Sequence, residues 1–512
     1  MLAATLAVPV VVHAADIADS PASPAAAASG AGARPFLPTT VVAEPAVITA
    51  VASRPKDYAL PALEIIGFDF LLNRFNRVFG SGRDDYAVSL GSIRRNLHSG
   101  WGTDRDPFSI NQFAHPYQGS MYLGFARSAG FDYWESAGYA FAGSGFWEIF
   151  GEQTHPSRND QVASGIGGTF LGEAMFRMSS LVLEKGGGMS RPWREAAAAA
   201  ISPSSGFNRL VFADRYGGIF SSHDAPYFSR AQLGYVHSVR EETGITSTRF
   251  KPNEMQADFS IDYGSPGAKG YQYTRPFDYF NFQATASSAN GIETVLTRGL
   301  LIGRPYEAGP DYRGVWGIYG SYDYISPQTF RVSTTAVSLG TTGHWWMTQD
   351  LSLEGTATAG VGYTANGAAS DRDYNYGVTP QALLALRLTH TGRASLDITG
   401  REYFVSNVAS GTSGGTTTSS AWTLPSRCAS TSSTPLRCAT SATGATRTSP
   451  ARRPGGRCAT PSACSTRCSA RNASARSTGA ESRPCRRPFR ARACLEPDAG
   501  AGRSARPGSR RG

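Results

Sequence analysis

No cysteine occurs before Cys428. The absence excludes a disulfide framework and a cysteine-ligated metal from everything upstream, and it suits a chain that crosses an oxidising periplasm unfolded without mispairing thiols. Past the N-terminal dozen residues there is no apolar run long and uncharged enough to span a bilayer as a helix. There is no HExxH, no nucleophile elbow and no phosphate loop. Gly165-Ile166-Gly167-Gly168 follows no strand and sits inside a helical period, so close packing accounts for it better than a nucleotide does. No cofactor or metal is expected.

A second set of absences divides the chain. Residues 411–512 contain no Lys, Ile, Val, Met, Tyr, Gln or His, hold all seven cysteines, and set 18 Arg against only Glu481, Glu496 and Asp498. The formal charge of +10 therefore belongs to the tail, and the first 410 residues are net acidic. Such a composition cannot bury a core. A basic arm would mix Lys with Arg. A metal or disulfide module would pair its cysteines closely, which Cys428, Cys438, Cys458, Cys464, Cys468, Cys485 and Cys494 do not. Arg, Ala, Pro, Ser, Thr, Gly and Cys are what GC-rich codons yield out of frame. The tail is read as disordered and frameshifted, and no nucleic-acid partner is inferred from it.

At the other end, Leu2 to Val12 is an apolar run of signal-peptide length, and Val12-His13-Ala14 offers small residues at the −3 and −1 positions of a cleavage site. Residues 1–14 are expected to be a leader. It has no positive n-region, which would place the true start upstream of Met1. Residues 15–57, rich in Ala, Pro and Ser, read as a disordered linker.

An exported membrane protein without spanning helices must cross as a closed barrel, because lipid leaves no other way to satisfy the backbone. Residues 213–410 carry the required period of two. Met255, Ala257, Phe259, Ile261 and Tyr263 alternate with Gln256, Asp258, Ser260 and Asp262; Leu351, Leu353, Ala357, Ala359 and Val361 alternate with Ser352, Glu354, Thr356 and Thr358. Similar runs fall around Phe280–Ala286, Trp316–Tyr324, Ala382–Leu388 and Ala394–Ile398, separated by turn chemistry such as Asn290-Gly291 and Asn366-Gly367. A soluble β-sandwich also alternates, but its core excludes the Asp, Glu, Arg and Gln found here, whereas a wet lumen accepts them. Tyr271, Tyr273, Phe277, Tyr279, Trp345, Trp346, Tyr374 and Tyr376 lie near strand ends, where an interfacial girdle is expected. About nine strands are counted between residues 230 and 405. Single-chain bacterial barrels use even numbers, so the barrel is incomplete as written.

Residues 58–212 have a helical period instead. Leu63–Phe79, Tyr133–Phe150, Asp160–Leu183 and Pro192–Ile201 are expected to be helices. Ser157 opens the third with a cap, and Gly186-Gly187-Gly188 ends it. Gly138, Ala142 and Gly145 on the second, with Ser164, Gly168 and Gly172 on the third, predict a tightly packed hairpin. The fold class is thus α+β: a Gly-rich helical segment followed by an antiparallel outer-membrane-type β-barrel.

The motifs His115-Pro116-Tyr117-Gln118-Gly119-Ser120, Ala126-Arg127-Ser128-Ala129-Gly130, Tyr133-Trp134-Glu135-Ser136, Trp147-Glu148-Ile149-Phe150-Gly151-Glu152, Pro156-Ser157-Arg158-Asn159-Asp160 and Gly206-Phe207-Asn208-Arg209-Leu210 together resemble a bacterial family known as domain of unknown function 3943, over roughly residues 92–212. The resemblance implies an uncharacterised envelope protein of a Gram-negative bacterium and lends no catalytic residue.

His115, Glu148, Glu152 and Asp160 are the candidate site residues, with His155, Glu135 and Glu173 as further titratable groups. Carboxylates beside an imidazole can do acid–base work. The competing reading makes them caps and turn partners, and His155, preceding Pro156, is expected to be extended and off the helix face. Two functions follow. One is a structural or transport role in the outer membrane, with the helical hairpin plugging or capping the lumen and its acids paired to lumen arginines; outer-membrane lipid and the barrel-assembly machinery are the partners. The other is an envelope enzyme acting on lipid or cell-wall material through His115 with Glu148 or Glu152.

Overall fold

The computed structural model describes residues 56–237 and 251–407, apart from residues 81, 187, 252, 265, 267–270, 329, 369–370, 373 and 391–393, together with the backbone of three outlying strands. The linker up to residue 55 and most of the leader and tail lie outside the described residues.

Nine α-helices are described: α1 (Ala59–Phe79), α2 (Leu90–His98), α3 (His115–Ser128), α4 (Tyr133–Phe146), α5 (Arg158–Val162), α6 (Gly168–Lys185), α7 (Arg191–Ile201), α8 (Pro203–Val211) and α9 (Ala213–Tyr216). Local chemistry sets their starts. Ser89 with Ser92 and Asp132 with Glu135 form capping boxes before α2 and α4, Ser157 accepts the Asp160 N–H ahead of α5, and prolines stand in the first turns of α3, α7 and α8. Two expected helices are interrupted. The second gives way to a π-turn at Trp147–Gly151, and the third is broken by another at Ala163–Gly167; a third π-turn, Ile110–Ala114, leads into α3. Helices α2, α3, α8 and α9 were not anticipated. α3 is buried nearly all round, so it offers no amphipathic period to read.

The expected hairpin needs correcting. Gly168 and Gly172 do face a neighbouring backbone at close range, but it belongs to α3: a Cβ on Gly168 would lie 2.6 Å from Gly119 Cα, and one on Gly172 would lie 3.0 Å from Ser120 Cα. Nothing stands within 4 Å of a Cβ on Gly138. Small residues allow close approach without naming the partner.

The strands β2 (Tyr227–His237), β3 (Asn253–Tyr263), β4 (Phe280–Ser287), β5 (Gly291–Glu307), β6 (Tyr312–Ile325), β7 (Phe330–Trp346), β8 (Leu351–Ala368), β9 (Tyr374–His390) and β10 (Ala394–Asn407) pair antiparallel in sequence order, a nine-strand curled sheet making a half-barrel. The ladder extends into the segment read as tail through β11 (Thr416–Cys428) and β12 (Ala439–Thr448), and β1 (Thr5–Leu6), inside the expected leader, pairs with Thr440 and Ser441. Ladder pairing asks only for backbone groups, and the Thr-rich run from 416 satisfies it.

The two faces of the sheet have opposite chemistry. On β3, Glu254, Ser260 and Asp262 are buried while Met255 and Phe259 are exposed. Trp316, Ile318, Val337, Leu339, Val361, Val378 and Leu384 share the Met255 face and are exposed as well. The polar face is the concave one, because side chains on distant strands meet across it: Arg230 of β2 reaches Asp397 of β10 at 2.9 Å, and Arg387 of β9 reaches Asp262 of β3 at 2.8 Å.

The helices lie against the apolar, convex face. Ile261, Phe282, Thr297, Tyr322, Thr335 and Tyr363 are register neighbours along one row across six strands. Along and beside this row Tyr322 donates to the Gln112 carbonyl, Phe108 stacks on Tyr324, Phe170 lies on Gly320, and Gly167 sits beside Thr335. A lumen plug is therefore not what the helices form: apolar helix faces bury their area against the apolar side of the sheet, and the polar side offers them nothing. The girdle is corrected at several positions. Phe277, Tyr279 and Tyr376 are buried, whereas Trp345 is exposed.

Candidate functional site

The four sequence candidates come together. His115 opens α3 directly after one π-turn, Glu148 lies in the second, and Ser164 in the third. Each π-turn widens its helix by one residue and redirects the side chains that follow, a distortion often found at functional positions. His115 Nδ1 is 3.2 Å from Ser164 Oγ, and its Nε2 is 4.0 Å from Asp160 Oδ1.

Asp160 accepts from the Ser157 hydroxyl and, at 2.8 Å, from Asn159 Nδ2. Glu148 accepts the Ser157 N–H at 2.7 Å, while its other oxygen has no partner. Glu152, in extended backbone beyond the π-turn, accepts from Trp147 Nε1 at 2.8 Å and Thr154 Oγ1 at 3.0 Å. His155 is exposed and apart from the cluster, as its place before Pro156 suggested. Glu135 pairs on the surface with Lys56 at 2.5 Å.

Sequence reasoning missed the residues that complete the cluster from elsewhere. Asn111 donates to Asp104 at 3.1 Å and to Tyr374 at 3.0 Å, and Tyr376, from β9, receives Asn159 at 2.9 Å and Gln112 at 3.0 Å. The tyrosines lie more than two hundred residues downstream of Asn111 and Asn159. No local spacing could have joined them.

Burial dominates the electrostatics. It raises Glu148 well above the carboxylate range, helped by Asp160 and Glu152, and raises Asp160 likewise, helped by Asp104. Glu152 is pushed up to about 7 by burial, with His115 acting against the rise. His115 is lowered, burial outweighing the pull of Glu152. In water at neutral pH the three carboxylates would be charged; here they and the imidazole tend toward a neutral set. His115, Glu148 and Asp160 are only 6%, 3% and 3% exposed, which closes the set to a substrate of any size. Among the described residues no three His, Cys, Asp or Glu converge to hold a metal ion.

Glu173 serves a different assembly. Arg127 grips it through Nε at 2.6 Å and Nη2 at 3.0 Å, and Arg177 Nε reaches it at 2.9 Å. Arg177 continues to Asp278 at 2.9 Å, just ahead of β4. Against the burial that would raise it, the two guanidiniums hold Glu173 below its usual range. The pattern expected for a plug, acids facing lumen arginines, is replaced here by an acid facing arginines of its own helical layer.

Residues 100–204 match a family described as Domain of unknown function (DUF3943), in agreement with the resemblance carried by the helical motifs. No curated protein and no solved structure matches the chain.

Proposed function

We propose that this chain is an outer-membrane β-barrel protein of a Gram-negative bacterium, with a structural or transport role. The observation that carries the reading is the inverted polarity of the sheet: carboxylates and arginines inside, Met255, Ile318, Leu339 and Val361 exposed outside. Water-soluble sheets do the reverse, and an exposed apolar belt of this extent marks a surface made for another phase. Helix α1 supports it by the same inversion, burying Asp69 and Asn73 while exposing Leu63, Phe70, Leu71, Phe75 and Phe79. None of the helices is long and apolar enough to cross a membrane among the described residues, and strands do not need one to be. Export, outer-membrane lipid and the barrel-assembly machinery follow as parts of this proposal.

The buried His115 cluster counts against the enzymatic alternative, since an enzyme acting on lipid or cell wall needs an open cleft. Its polar contacts instead tie α3, α5 and the π-turns to β9. The test is reconstitution of the full chain into vesicles containing bromine-substituted lipid chains, which quench tryptophan on contact. Trp316, half exposed on the convex face, should be quenched, and the quenchable fraction should fall in Trp316→Phe. Recovery of the folded chain as a detergent-free soluble protein would overturn the proposal.

A further inference from the structure

The concave face is crossed by ion pairs, yet two of its arginines are left out of them. Arg387 is ion-paired with Asp262, Glu354 and Asp397, and Arg230 with Asp397, although the Arg230 Nε–H has no partner. Arg298 of β5 and Arg401 of β10 line one recess, and neither makes an ion pair or hydrogen bond with a described residue. The Nε–H of each is buried without a partner, and Arg298 is only 9% exposed. An unpaired buried guanidinium is costly, so its retention calls for something to pair with.

The rest of the recess offers donors. Ser321 and Thr358 contribute hydroxyls that engage no described side chain, and Gln381 spends its Oε1 on Thr334 at 3.2 Å, leaving its amide nitrogen to donate. The single carboxylate, Asp323, already accepts Tyr403 Oη at 2.7 Å. Two guanidiniums against one engaged carboxylate leave the recess net positive. Their planar forks match an oxyanion better than a spherical ion.

We infer that the concave face holds a binding site for a small oxyanion, with inorganic phosphate its simplest form, held by Arg298 and Arg401. The site rests on the geometry of the concave face and stands whether or not the chain proves to reside in the membrane. In a transmembrane barrel it would favour passage of anions.

The full chain purified in detergent is titrated with inorganic phosphate, and binding is followed by equilibrium dialysis. One saturable site is expected, weakened at least fivefold in Arg298→Gln and in Arg401→Gln, and abolished in the double variant. Weak binding that survives in the double variant belongs to the arginine-rich tail. Arg304→Gln, on the opposite face of β5, should bind as the unaltered chain does. Asp323→Asn keeps an acceptor for Tyr403 and removes the opposing charge, so it should tighten binding several-fold, a gain that misfolding cannot imitate. Absence of saturable binding, equal binding in the double variant, or no tightening in Asp323→Asn would each overturn the site. Because binding is read in detergent solution, its failure is distinct from a failure of vesicle insertion.

Discussion

At the scale of single residues, the helical layer holds its charges in two ways, and each has a measurable signature. Glu173 is fully buried between Arg127 and Arg177. Glu173→Gln keeps the shape but leaves the buried Arg127 guanidinium without its anion and Arg177 with Asp278 alone, which costs about 3–5 kcal/mol. Denaturant unfolding followed by the helical far-ultraviolet signal should show a loss of that size; a loss under about 1 kcal/mol would mean that the pair merely offsets its own desolvation. Glu152 works the other way. Its folded pKa, about 7, lies above its ordinary 4.5, so between those values the folded chain keeps a proton that the unfolded chain has released. Its contribution to stability is complete below about pH 4.5 and is lost as pH rises through about 7, with Glu148 and Asp160 adding in the same direction. His115, lowered by burial, opposes this by weakening the fold as pH falls below its ordinary 6.5. Glu152→Gln should therefore raise the melting temperature at about pH 8.5 and leave it nearly unchanged at about pH 5. An equal effect at both pH values would rule out a titrating Glu152 as the cause.

At the scale of elements, the crossing of α3 and α6 depends on having no side chain at two positions. A Cβ on Gly119 would fall 1.9 Å from the Ser164 carbonyl oxygen, and one on Gly168 would meet the Gly119 backbone. Backbone cannot swing aside as a long side chain can, so Gly119→Ala or Gly168→Ala must separate the helices, at about 1–3 kcal/mol or more. Gly138→Ala on α4, where a Cβ meets nothing within 4 Å, should cost nothing and could gain the usual helix preference of alanine. Thermal melts of the three variants separate the two cases. This contrast also marks what was legible in advance. Glycine spacing announced close packing because each helix face is a local property, but the choice of α3 as partner was set by long-range assembly. Strands were easier to read: a period of two marks β3, β4, β6, β8, β9 and β10 in the sequence, whereas β5, bulged between Leu300 and Ile302, breaks it, and the alternation already told which face was polar. The same holds for the site. His115, Glu148, Glu152 and Asp160 were readable as a local group, whereas Asn111 and Tyr376 joined it only through the docking of the helices on β9.

At the scale of the whole molecule, the helices and the sheet share one convex apolar surface, and the remainder of that surface decides between water and lipid. Leu339 is 60% exposed on β7 and has Val337 and Val361 on the same face. In a water-soluble protein, replacing an exposed leucine by arginine away from caps, cores and networks changes stability by no more than about 0.5 kcal/mol. In a barrel wall the same change puts a guanidinium into hydrocarbon, at a cost of about 2–4 kcal/mol near the bilayer midplane and less toward the interfaces. Leu339→Arg therefore distinguishes the two environments without a ligand, a partner or an assay of activity. The expected outcome is an unfolding free energy in lipid vesicles, read by urea titration, that drops by that amount. The depth dependence provides an internal check, because Trp345→Arg, six residues further along the same strand and nearer its end, should cost less than Leu339→Arg. Equal and negligible costs at both positions would place the convex face in water, and the exposed aliphatic side chains would then need a protein surface to cover them instead of a bilayer.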